Sequence, residues 1–243
     1  MVLALLIEWS HFDLFVADWV YAMEGRQWQL REHFVSSALL HEGGRSLVQL
    51  IGLALLLLAI TSSFNARLAP YKRGLWMLFM TLALGPALVA IAKAFTHVDC
   101  PWDLIRYGGT LPYLPIFEPH PGDYDYGRCF PSGHASGGYG LIGLYFFLRH
   151  HKPEWKWYGL AVGIVMGLVF GMAQQLRGAH FFSHDLWSLA ICWLCALFSD
   201  WQLFGKWQTI TSGHIAATRH YGVINQQRDF SKRSSLPDPG RLK

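Results

Sequence analysis

Lys93, Pro131-Ser132-Gly133-His134 and the run Arg177-Gly178-Ala179-His180-Phe181-Phe182-Ser183-His184-Asp185 are three polar clusters, each at the end of an apolar segment of membrane length. Ionisable side chains beside a membrane span are expensive to hold there and mark a functional site by default, with a partner close by. The chemistry these types suit is cleavage of a phosphate ester. That reaction needs fixed positive charge and hydrogen-bond donors on the equatorial oxygens, a nucleophile in line, and an acid for the leaving oxygen. Ser132 can donate its hydroxyl, and Gly133 lets a backbone N–H approach closely at a helix N-terminus, itself an anion site. His134 opens that helix with an imidazole able to protonate a leaving group near neutral pH. His180 is the second imidazole, and a carboxylate such as Asp185 would set its tautomer and raise its nucleophilicity. Lys93 and Arg177 bring the charge.

The elements that must position these groups are membrane helices. The chain has 243 residues, 52% hydrophobic and 15% charged. A soluble domain of this length carries more charge. Ser46 to Phe64, Gly74 to Phe95, His134 to Leu148, Trp157 to Leu176 and Leu186 to Phe204 hold almost no charge. About 20 helical residues cross the hydrocarbon core. Backbone groups in lipid must bond internally, so these are helices and not strands. The expectation is an all-α polytopic transmembrane bundle of five spans, with a sixth if the apolar stub Val2 to Ile7 belongs to one. Residues 1–45 form that stub and an interfacial amphipathic segment, because Leu14 to Leu40 mixes Trp and Phe with Asp18, Glu24, Arg26, Arg31 and Glu32. Residues 46–204 form the membrane domain, and residues 205–243 a basic, partly disordered tail.

Basic residues collect in alternate loops. Arg67, Lys72 and Arg73 lie between two windows, Arg149, Lys152 and Lys156 between two others, and the tail adds more. The positive-inside rule places these in the cytoplasm and the three polar clusters on the outer side. The net charge of +4 comes mainly from the tail and reads as topology, so no nucleic-acid partner is expected. Cys100 and Cys129 bracket the outer loop, where an oxidising compartment allows them to pair; two free thiols are the alternative. Cys192 and Cys195 lie inside the last span as inert thiols.

In these motifs the chain resembles the type 2 phosphatidic acid phosphatase superfamily, membrane lipid phosphatases related to vanadium haloperoxidases. The usual signature is a Lys, six residues, then Arg-Pro; Pro-Ser-Gly-His; and Ser-Arg, five residues, His, three residues, Asp. Here Lys93 is followed after six residues by Cys100-Pro101, the second motif matches fully at residues 131–134, and Gly178-Ala179-His180 matches the region around the nucleophilic His. The resemblance covers roughly Gly74 to Phe204. It implies a helical bundle of the haloperoxidase-like type, with His180 as a nucleophile forming a phosphohistidine, His134 as general acid, and Lys93, Ser132 and the Gly133 amide as phosphate ligands. It implies no cofactor and no metal. The arginines usual at the first and third motifs are replaced by Cys100 and Gln174, which makes Arg106 and Arg177 the candidates to supply that charge. The usual Asp falls on His184, with Asp185 next to it, so either can orient His180.

With the charge pattern above, the expectation is a bacterial inner-membrane enzyme whose site faces the periplasm. By the resemblance, its partners would be membrane lipids and a substrate such as undecaprenyl pyrophosphate, phosphatidic acid, phosphatidylglycerol phosphate or lipid A phosphate. A lipid phosphotransferase would use the same residues. A non-catalytic phospholipid-binding protein, and a metal-dependent hydrolase built on His180, His184 and Asp185, are readings of other classes. The headgroup and the oligomeric state are not encoded in these motifs.

Overall fold

A computed structural model of the chain describes Ile7, residues 9–116, Glu118 and residues 127–205. The apolar stub, all but Ile7, and the basic tail beyond Gly205 lie outside the described residues. Backbone groups in an apolar medium must bond within their own segment. Helices meet that demand here: among the described residues no strand forms, and Leu104 and Leu111 make one isolated bridge.

Helix α1 spans Phe12–Met23. Helix α2 spans Val35–Thr61, wound as a π-helix over Val35–Gly43 and as an α-helix over Gly44–Thr61. Helix α3 is Lys72–Thr96, α4 is Gly133–Tyr139 and α5 is Gly143–His151, the last two joined by a 3-10 turn at Gly140–Ile142. Helices α6, Lys156–Leu176, and α7, Phe182–Asp200, complete the bundle. Four stretches are long and apolar enough to cross a membrane: Val35–Thr61, Ala69–Asp103, Pro153–Leu176 and Phe182–Gly205. Helices α4 and α5 with their turn form a further rod, about 28 Å long at 1.5 Å per residue. The chain is an all-α membrane-helix bundle. A second compact unit, Trp201–Lys243, is described over Trp201–Gly205 as a π-helical turn.

The first crossing helix begins at Val35 and not at the apolar window that opens at Ser46. His41, Glu42 and Arg45 interrupt the hydropathy there, but His41 and Arg45 line an internal cavity, so the helix runs on through them.

Helix α3 packs against α2, α4, α5 and α7, while α6 lies along the α4–α5 rod. The second contact depends on glycine. Gly159, Gly163 and Gly167 recur every four residues on α6, and a Cβ added at Gly163 would stand 2.5 Å from the backbone nitrogen of Ile142. Small residues let membrane helices approach until their backbones touch, which is where their attraction comes from.

Helix α1 does not enter the bundle. It buries Ala17 with Leu104, Tyr107 and Phe181 over the end of the bundle that holds His134 and His180. Its other side leaves Phe12, Phe15, Trp19 and Met23 exposed. Beneath it, Cys100 and Cys129 form a disulfide across 29 residues. Closing a loop of that size contributes roughly 3–4 kcal/mol in the chain-entropy model. The Cys129 N–H donates to the Val98 carbonyl at 2.9 Å and the Thr96 hydroxyl to the Phe130 carbonyl at 2.6 Å, so the end of α3 is held against the start of α4. At the opposite end Asp200 accepts from Arg149 at 2.6 Å and from His150 at 2.7 Å, joining α5 to α7.

Replacing Gly163 by Val should lower stability by about 1–3 kcal/mol through overpacking. Gly52→Ala, where the new methyl would lie 3.8 Å from Leu82, serves as the tolerated control. Thermal unfolding in detergent compares the two; equal midpoints would contradict a tight seam at Gly163.

Candidate active site

The turn between α6 and α7 sets the position of His180. Gly178 has φ +71°, and a Cβ there would also strike the Trp28 ring at 2.5 Å, so both backbone and space require glycine. The Ala179 N–H donates to the Gln174 carbonyl and the Gly178 N–H to the Gln175 carbonyl, both at 2.9 Å. This bond pair is the left-handed C-terminal motif that stops a helix and turns the chain. Helix α7 then starts beside α1, where the buried Asp13 carboxylate accepts from the Ser183 N–H at 2.8 Å. A carboxylate at that end satisfies an orphan N–H and suits the helix dipole. Burial raises the Asp13 pKa, against the lowering effect of its bonds from Ser183.

His180 and His184 are both buried, with their Nδ1 atoms 3.5 Å apart, and both rings face the Cys129 carbonyl. Burial, reinforced by Lys93 and His184, pushes His180 well below the usual histidine range, so it is a neutral imidazole with a free lone pair at neutral pH. Asp185 turns away from it. Its carboxylate accepts from Gln175 Nε2 at 2.5 Å, faces the Ser132 hydroxyl and occupies space that Gly171 leaves open. His184, and not Asp185, is therefore the neighbour of the His180 ring. Consecutive residues on a helix point about 100° apart, so the two could not both face His180.

Ser132 is fully buried behind the site. Its N–H donates to the His184 carbonyl at 3.2 Å and its carbonyl accepts from Ser188 at 2.8 Å. Its hydroxyl lies on the Asp185 side without a hydrogen-bond partner, and Ser132 is outside the cavity lining. Gly133 does front the cavity, and Lys93 Nζ lies 3.6 Å from the point where its Cβ would be. His134 is fixed by its Nε2, 2.8 Å from the Leu40 carbonyl. A carbonyl can only accept, so Nε2 carries the hydrogen and Nδ1 is the nitrogen left for proton exchange. The His134 ring is flanked by His41 and Phe170, with centroids 4.8 and 4.7 Å away.

The two candidate arginines part company. Arg106 forms a two-bond pair with Asp18 of α1, its Nε 2.7 Å from Oδ1, on an exposed surface outside the cavity lining. It is corrected from phosphate ligand to surface ion pair, because its Nε and Nη2 are engaged by a carboxylate 88 residues away in sequence and it lies outside the cavity lining. Arg177 is buried at the site end, donating to the Arg31 carbonyl at 2.8 Å and to Gln174 Oε1 at 3.2 Å.

Lys93, Gly133, His134, Gln174 and His180 share one cavity of about 370 Å³, with a wall from α2 made of His41, Gly44, Arg45, Val48 and Gln49. That size falls within the usual small-ligand range. His41, Arg45 and Gln49 recur every four residues, a polar stripe on an apolar helix. This spacing was the available signal for the wall, whereas nothing in the sequence pairs Asp13 with Ser183. Among the described residues no group of three His, Cys, Asp or Glu is arranged to hold a metal ion. His180, His184 and Asp185 do not converge, since Asp185 faces Gln175.

The model of the PAP2 superfamily matches residues 74–208, more than half of the chain. No curated protein matches. No solved structure matches either.

Arg106→Gln should leave turnover per folded molecule unchanged and reduce stability by less than about 1 kcal/mol, as for an exposed ion pair. A tenfold fall in turnover without a fall in the folded fraction would return Arg106 to the site.

Proposed function

The chain belongs to the PAP2 superfamily, and we propose that it is a membrane lipid phosphatase working through a phosphohistidine on His180. Family membership supports a phosphoric ester hydrolase in coarse terms. The observation that carries the finer reading is the convergence of Lys93, Gly133, His134 and His180 on one cavity at the end of apolar helices.

The steps follow from the atoms on the wall. His180 Nδ1 is turned to His184, which leaves Nε2 to attack phosphorus. As the N–P bond forms, the bond from phosphorus to the leaving oxygen breaks, and that oxygen takes its proton from Nδ1 of His134, which enters this step as the imidazolium with its Nε2–H on the Leu40 carbonyl. Lys93 and the Gly133 N–H hold the equatorial oxygens, where charge accumulates in the transition state. His134, now neutral, takes a proton from water as the water oxygen bonds to phosphorus and the N–P bond breaks, its electron pair returning to His180 Nε2. Inorganic phosphate leaves and both imidazoles return to their starting state. The cations needed for this come from the chain itself, so the proposed reaction is independent of a metal.

The apolar part of the cavity, Val48, Pro86, Gly137 and Phe170, suits a lipid tail. Candidate substrates are undecaprenyl pyrophosphate, phosphatidic acid, phosphatidylglycerol phosphate and lipid A phosphate. Arg67, Lys72, Arg73, Arg149, Lys152 and Lys156 gather at the end of the bundle opposite His134 and His180. The positive-inside rule then puts the proposed site on the periplasmic side of a bacterial inner membrane and the basic tail in the cytoplasm.

Phosphate release by the detergent-purified chain from a panel of those lipids, with chelator present, tests the proposal. Release from at least one lipid is expected, with a loss of at least a thousandfold in His180→Ala. Release retained in His180→Ala would overturn the nucleophile. No release from any lipid, with transfer appearing once a lipid acceptor is added, would identify a phosphotransferase.

A further inference from the structure

The site has lost the arginines that its motifs usually carry, yet its cavity is not short of donors. We propose that Arg45 and Gln174 hold the substrate phosphate in place of the arginines absent at positions 100 and 174. This rests on reading the cavity as a phosphate-ester site. It assigns a ligand role to α2, which lies outside the matched residues 74–208.

Arg45 is itself exposed and belongs to a helix that otherwise shows lipid-type residues, with Leu47, Leu50, Leu53 and Leu57 exposed around it. A charged side chain on such a helix faces a bundle interior or a polar cavity. Arg45 lines the cavity together with His41 and Gln49, one turn before and one turn after it. The helix is also locked to the catalytic histidine. The Leu40 carbonyl takes the His134 Nε2 hydrogen at 2.8 Å, and at Gly44 an added Cβ would lie 2.8 Å from Phe170 and 3.4 Å from His134 Nε2. Arg45 follows that contact directly, so its position relative to His134 is set by packing and not by a loop.

Gln174 is the independent observation. Its side chain is 2% exposed, and its Nε2 is a buried donor with no hydrogen-bond partner. Arg177 can only donate, so it holds the amide oxygen, and the amide nitrogen is left on the cavity side. An unmade hydrogen bond of this kind is destabilising. An acceptor oxygen on a ligand in the cavity would remove that penalty. Arg177 thus acts through Gln174, polarising the amide from behind. Arg45 and Lys93 both line the cavity, two cations on facing helices at one site, with Glu42 the nearby carboxylate. Mutual repulsion between the two cations is relieved by an anion.

The rest of the wall says what the anion is attached to. Pro86 lies two turns below Lys93 on α3, about 10 Å deeper, and Val48, Gly137 and Phe170 join it there. The ligand class is a phosphorylated amphiphile, with phosphate or diphosphate at the cationic end and an apolar chain running inward.

Orthovanadate, a phosphate mimic, reads the anion site without turnover. Its binding to the detergent-purified full chain is measured by calorimetry, beside lipid phosphate release, for wild type, Arg45→Gln, Arg45→Lys and Gln174→Leu. Arg45→Gln and Gln174→Leu are each expected to weaken vanadate at least tenfold, and Arg45→Lys to recover part of the loss. Wild-type affinity in either Arg45→Gln or Gln174→Leu overturns the assignment for that residue. Should Arg45→Gln fail to fold, wild-type affinity in Gln174→Leu is enough to overturn the pair. Absence of vanadate binding to wild type overturns it as well. Vanadate binding that depends on Arg45, in a chain releasing no phosphate from any lipid, upholds the anion site and rejects the catalytic reading.

Discussion

Charge confined in an apolar bundle governs this structure. Lys93, Arg177 and Arg45 stand near His41, His134, His180 and His184 at one end of helices whose middles are apolar. Burying an ion such as Arg177 costs several kcal/mol, and like charges nearby add repulsion. The architecture can carry that load where hydrogen bonds satisfy the backs of the charged groups and a ligand of opposite sign can meet their fronts. Arg177 is secured by the Arg31 carbonyl and the Gln174 amide, and His134 by the Leu40 carbonyl. Gln174 Nε2, left without a partner, belongs to a residue of the cavity wall.

The helices hold that arrangement by close approach. Glycines on α6 bring its backbone against the α4–α5 rod, and Gly44 brings α2 against Phe170 and His134. Packing at this distance makes the site a property of rigid elements, which are more precise than loops as supports for a constellation of side chains. The end of α3 is also tied to the start of α4. There the Cys100–Cys129 disulfide and the Thr96–Phe130 bond tie the segment carrying Lys93 to the one carrying Gly133 and His134. Helix α1 closes the same end with the Asp13 cap on α7.

Much of this was legible from residue order. Apolar windows located α3, α6 and α7, and the short window from His134 found the α4–α5 rod. Lys93, Gly133, His134 and His180 were readable because a polar residue at the end of an apolar run stands out against its surroundings. The start of α2 was not readable by the same test. His41 and Arg45 lower the hydropathy of a segment that still belongs to a crossing helix, since they face a cavity and not lipid. Arg106 misled for the opposite reason: its spacing after Cys100 made it a plausible substitute, and its partner Asp18 lies far away in the chain.

Sequence by itself determined the class of the molecule and the location of its chemistry. Both depend on local patterns, hydrophobic runs of membrane length and polar clusters at their ends, which no tertiary contact can reverse. The tertiary structure decided which neighbour serves which. It set His184 and not Asp185 beside His180, turned Ser132 toward Asp185, sent Arg106 to Asp18, and brought Arg45 to the wall of the cavity. Those choices depend on the rotation of each helix about its axis and on contacts between residues far apart in the chain. Neither quantity is written in the spacing of any one segment.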